Sequence, residues 1–145
     1  MSDDATIHAG CIAIDGNGVL ILGPSGAGKS DLAIRLIDRG AILVSDDYTR
    51  LHVAHGQLIA APPGALAGKI ELRGVGIVER PFVAEVPIAL AIELGKPAQR
   101  LPDRELREWL GQSVPAIALN GLEASAPIKV EAALALHGLT LPCPT

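Results

Sequence analysis

The chain has 145 residues, 49% of them apolar, and a formal net charge of −4. That length fits one domain over residues 1–145, and with Tyr48, Phe82 and Trp109 as the only aromatics, its core must be Leu, Ile, Val and Ala. An acidic chain without a basic run excludes nucleic acid as principal partner, and no apolar run reaches the roughly 18 residues of a membrane span. With no targeting segment, a soluble cytoplasmic protein is expected, with Cys11 and Cys143 as reduced thiols.

Residues 11–14 and 18–22 are short apolar runs joined by Asp15-Gly16-Asn17, a hairpin signal. A Gly-rich loop follows, then a helix over 31–39 with Leu32, Ala33, Leu36 and Ile37 on one stripe and Gly40 closing it. Residues 41–45 read as a buried strand ending in Asp46-Asp47, expected beside the strand that precedes the loop. A second hairpin turns at His55-Gly56. Residues 69–79 contain Gly74 and Gly76, which suit a bend, and 86–93 form a strand with Pro87 near its start. A polar helix is expected over 101–111, with Arg104, Glu105 and Arg107 as solvated charge like Asp38 and Arg39 on the first helix. A last strand is expected over 116–119. Pro127 and Gly138 bracket a terminal helix. The pattern predicts an α/β fold: a single P-loop domain with a mixed, mostly central β-sheet flanked by helices, and an N-terminal β-hairpin.

Gly23-Pro24-Ser25-Gly26-Ala27-Gly28-Lys29-Ser30 matches G-x-x-x-x-G-K-[ST] without a mismatch. The glycines let successive N–H groups turn toward phosphate oxygens, Lys29 reaches the β- and γ-phosphates, and the Ser30 hydroxyl joins a magnesium shell. The helix behind the loop offers its positive end to the nucleotide. Nucleotide binding follows, but hydrolysing switches and several kinds of kinase share this loop. Of the acids that end the next strand, one can hold magnesium through water and the other can take a proton from an attacking hydroxyl. His52, His55 and His137 fall in no metal-binding spacing and read as surface or turn residues. Trp109 serves packing or an interface.

These residues, taken together, resemble the catalytic domain of bacterial HPr kinase/phosphorylase. The likeness runs from Ile7-His8-Ala9-Gly10 through the loop, Arg39-Gly40 and Leu43-Val44-Ser45-Asp46-Asp47. It ends on Ile70-Glu71-Leu72-Arg73-Gly74-Val75-Gly76-Ile77, which is similar to the family's signature. The resemblance implies an ATP- and Mg2+-dependent protein-serine kinase whose partner is an HPr-like phosphocarrier of the phosphotransferase system. It implies Asp47 as acid–base residue, His8 as its orienting partner, Lys29 on phosphate, Arg100 as a later active-site arginine, and Ser30 and Glu71 as magnesium ligands, which leaves Asp46 as the carboxylate of the pair that holds magnesium through water. Arg73 could neutralise phosphate or pair with an acid. A homo-oligomer, a hexamer, is implied by the resemblance alone.

Long members of that family carry an N-terminal domain, so the chain reads as a short form consisting of the catalytic domain. The resemblance also implies the reverse phosphorolysis with inorganic phosphate. Here the sequence departs from the pattern: residues 115–134 contain no arginine, and Lys129 offers only a point charge. Two further functions fit a P-loop chain of this size. One is a kinase for a small hydroxylated metabolite, which calls for an Arg-rich lid not evident between Leu72 and Glu93. The other is a nucleotide-sensing module with little turnover.

Overall fold

The computed structural model describes residues 4–103 and 105–140, so Cys143 and Arg104 lie outside the described residues. Strands β1 (Ala5–Ile7), β2 (Gly10–Ile14) and β3 (Asn17–Leu22) lead into helix α1 (Lys29–Asp38) and strand β4 (Ile42–Ser45). There follow β5 (Thr49–Ala54), β6 (Gln57–Ala61), β7 (Lys69–Leu72), β8 (Gly76–Glu79), β9 (Val86–Glu93), β10 (Glu105–Trp109), β11 (Gln112–Ala118) and α2 (Ala126–His137).

The main sheet runs β1-β5-β6-β9-β3-β2-β4, with β11 also on β9 and β10 on β11; β7 and β8 form a separate hairpin. Strand β9 is long enough to serve two neighbours on one side. Its start pairs antiparallel with β6 and its end pairs parallel with β11. On its other side β9 lies parallel to β3, with Leu20 opposite Ala91 and Leu22 opposite Glu93. The mixed α/β sheet is as expected, but β4 does not lie beside β3. The antiparallel β2 sits between them, bonded to both, because the hairpin turn at Asp15-Gly16 folds β2 directly back onto β3. Two antiparallel steps leave β4 parallel to β3, so both strands end at the same edge.

Alternation along β3 divides the core. Val19 and Ile21 face one cluster with Leu32 and Leu36 of α1 and Val130 of α2, while Leu20 faces another with Leu51, Leu58 and Val114. Both helices cover one face and strands curl over the other. The largest fully buried side chains are all aliphatic, as the composition requires.

The helix expected over 101–111 is instead part of a β-hairpin. Leu110 and Gly111 take φ of 51° and 79°, the two-residue turn geometry also found at Asp15-Gly16 (50°, 80°) and His55-Gly56 (53°, 72°). Strand β10 is an exposed edge, so it shows no alternation of buried and solvated residues. Glu105 and Arg107 are therefore strand residues, and Trp109 packs partly buried against the second cluster. The last strand begins at Gln112, earlier than its apolar run suggests.

Candidate active site

Three chain segments meet at the edge where β3 and β4 end. The first is the loop from Gly23 to Gly28, which joins β3 to α1. Gly23, Gly26 and Gly28 take φ of 155°, 85° and 92°, and Gly28 is the N-cap of α1 with no side chain to cap it. The first-turn amides of α1 are thus left for another acceptor. The Lys29 ammonium donates to the carbonyls of Gly23 (2.8 Å) and Pro24 (3.1 Å), so it lies over the loop.

The second segment is the end of β4. Asp46, only 9% exposed, accepts from the Ser30 hydroxyl at 2.6 Å through Oδ1 and from the Glu71 amide at 2.9 Å through Oδ2. One carboxylate therefore ties the start of α1 to the β7–β8 hairpin. Asp47 follows at φ 68°, and the Tyr48 amide donates to the Asp46 carbonyl at 2.7 Å across it, closing a γ-turn. That strained turn directs Asp47 outward, where its carboxylate is 57% exposed.

The third segment, residues 8–10, follows β1. His8 Nε2 donates to Asp47 Oδ1 at 2.8 Å, and its ring centre lies 5.2 Å from that of Tyr48. A buried hydroxyl chain fixes this pairing: Ser45 donates to Thr49, and Thr49 donates to the Ala9 carbonyl at 2.7 Å. Sequence reasoning missed Ser45 and Thr49; the available signal was two hydroxyls flanking an Asp-Asp pair.

Ser30 is thus paired with Asp46 and His8 with Asp47, Lys29 lies beside Ser30 in the chain with its ammonium on the loop carbonyls, and Glu71 joins through its backbone while its side chain is exposed. Arg100 is exposed between β9 and β10 and makes no hydrogen bond or ion pair among the described residues. Arg73, at the tip of the β7–β8 hairpin, has no acidic partner among them either. Among the described residues no three His, Cys, Asp or Glu side chains converge as a ready cage for a metal. The donor set at Ser30, Asp46 and Glu71 is a hydroxyl and two carboxylates, hard oxygen ligands that suit magnesium, which keeps waters and phosphate oxygens in its shell.

Some sequence expectations for charged residues shift. Arg39 forms a bidentate pair with Glu131 of α2 at 2.7 and 3.0 Å, which raises the guanidinium pKa and lowers that of the carboxyl. A cleft of about 550 Å³ beside this pair lies at the far end of α1 from Lys29 and contains no group linked to the acids. Arg107 is not free helix charge: it donates to buried Glu93, which also takes Lys96 at 2.7 Å. His52 approaches Glu85 at 3.6 Å, and His55 sits in its turn as expected.

The family described as HPr Serine kinase C-terminal domain matches residues 1–118. The HPr kinase/phosphorylase of Clostridium tetani is 38% identical over 93 residues, 64% of this chain and 30% of that protein. That of Clostridium beijerinckii is 39% identical over 79 residues, 54% of this chain and 26% of that protein. The chain thus spans less than a third of the length of these curated relatives. The solved Hpr(Ser) kinase/phosphatase from Coxiella burnetii is similar with a TM-score of 0.83 and 32% identity, over 92% of this chain and 90% of that one.

Proposed function

This chain belongs to the HPr serine kinase C-terminal domain family, and from that premise we propose that it transfers the γ-phosphoryl group of ATP to a serine hydroxyl of an HPr-like phosphocarrier. The observation that carries this reading is the pairing of exposed Asp47 with His8 next to the Ser30–Asp46 bond, an acid–base group beside a phosphate loop. An incoming serine hydroxyl attacks γ-phosphorus, the new O–P bond forms as the bond to the β–γ bridging oxygen breaks, and the serine proton passes to Asp47. His8 orients the receiving carboxylate by donating to its other oxygen. Little base strength is needed where the transition state is loose, so a positioned carboxylate suffices. Lys29, already over the loop, exchanges its carbonyl partners for phosphate oxygens.

Ser30, Asp46 and Glu71 would hold magnesium. The ion would supply charge neutralisation on the β- and γ-phosphate oxygens. Ser30 can donate its proton to Asp46 and still present lone pairs outward, so the bond seen here is compatible with that role. In the reverse direction Asp47 would return a proton to the serine oxygen while inorganic phosphate accepts the phosphoryl group. Arg100 and a homo-oligomer belong to the same reading, with less to support them than the linked acids.

The test is transfer from radiolabelled ATP, with magnesium, to several HPr-like carriers, and release of the label with inorganic phosphate. Serine-phosphorylated carrier is the expected product. No transfer to any carrier, with ATP binding intact, would leave the nucleotide-sensing module as the better reading.

A further inference from the structure

Strands β3, β9 and β11 lie side by side and parallel, and the loops leaving their carboxyl ends are locked together. Leu94, 2% exposed, is the wedge. A Cβ on Gly23 would lie 3.1 Å from its Cβ, and one on Gly121 would lie 2.8 Å from its Cδ1. Arg35 of α1 clamps the third loop from the other side, donating to the carbonyls of Gly121 and, at 3.0 Å, Glu123. The Leu122 amide is satisfied by Asn120 Oδ1 at 3.0 Å. A loop held this firmly nevertheless leaves the Leu122 side chain 70% exposed, with its Cδ2 3.0 Å from where a Cβ on Gly28 would stand. An exposed apolar group is thus fixed against the last residue of the phosphate loop.

Resting on the ATP reading above, we infer that Leu122 is the wall on which the nucleotide's base lies. A triphosphate seated at the start of α1 projects its sugar and base outside the carboxyl ends of these strands, where ligands of open α/β sheets bind. A flat ring over Leu122 removes apolar surface of both from water. At Leu122 itself the amide is taken and both flanking carbonyls already serve Arg35, so this residue meets a ring through its apolar side chain. Contact is therefore by face, and adenine and guanine are held about equally.

The test is calorimetric titration of the full chain, with magnesium, by ATP, GTP and inorganic tripolyphosphate. Leu122→Ser is expected to weaken ATP and GTP by about five- to tenfold and leave tripolyphosphate unchanged, while Leu122→Met keeps all three. ATP affinity altered less than about twofold in Leu122→Ser overturns the inference, as does an equal loss of tripolyphosphate, which would put Leu122 on the phosphates. A wild-type chain that binds tripolyphosphate as tightly as ATP, or strongly prefers one base, overturns it while leaving the phosphate loop in place. Binding of none of the three would overturn this wall and the kinase reading together.

Discussion

Asp47 sits at the centre of a strained γ-turn, φ 68°, and Asn, with the same branching and size, can take its place there without new bulk. Asp47→Asn therefore keeps the γ-turn and the fold while removing the carboxylate that the kinase reading makes the proton acceptor. Phosphoryl transfer should fall by about 10²–10⁴-fold with ATP affinity unchanged, read from the transfer assay and a binding titration. Cys11 carries a different kind of residue-level statement. Complete burial pushes its thiol far above the ordinary range. The folded chain keeps this proton while the unfolded chain loses it above the usual thiol pKa, so this contribution to stability is full at neutral pH and declines as pH rises beyond it. In a Cys143→Ser background, iodoacetamide at about pH 9 should leave Cys11 unmodified in the native chain and alkylate it in denaturant, as mass spectrometry would record.

At the scale of elements, the β10–β11 hairpin shows what a chain reading could and could not reach. Asp15-Gly16 and His55-Gly56 were legible as turns because their chemistry is local. Leu110-Gly111 was not, since leucine is not a residue expected at positive φ, and the exposed edge strand before it lacks the alternation that marks a half-buried strand. The hairpin is anchored where Arg107 meets Glu93 at the end of β9. Arg107→Met leaves that buried carboxylate with Lys96 alone, and should cost about 2 kcal/mol, measured as a lower urea midpoint with an unchanged slope. The residues linked at the site were legible for the opposite reason. Gly23 to Ser30 and the Asp46-Asp47 pair carry their chemistry within a few consecutive positions. The hydroxyl chain from Ser45 through Thr49 to Ala9 was hidden, because it joins residues forty apart.

For the whole molecule, the order of strands was the part least available from the chain, because which strand lies between which depends on pairings made far apart in sequence. Val19 opposite Leu90 is one such pairing. The two core clusters share β3 and β9 as a common wall, so neither can melt without exposing the other's backing. Fluorescence of Trp109, which touches the second cluster, and far-UV circular dichroism, which follows helices packed on the first, should give superimposable urea transitions. Separate transitions would mean that the clusters are independent units.

The insertion of β2 between β3 and β4 bears on how the chain acquires its structure. His8, Lys29, Ser30, Asp46 and Asp47 all belong to a stretch whose pairings are a hairpin and a short return. A hairpin such as β2–β3 closes in about 1–10 microseconds and β2 reaches β4 across some thirty residues, whereas β9 must bridge some seventy residues of chain to reach β3 and bears the larger loop-closure entropy. The half of the site that holds His8, Lys29, Ser30, Asp46 and Asp47 can thus be sketched early, leaving the half at the ends of β9 and β11 to be added as the distant strands dock.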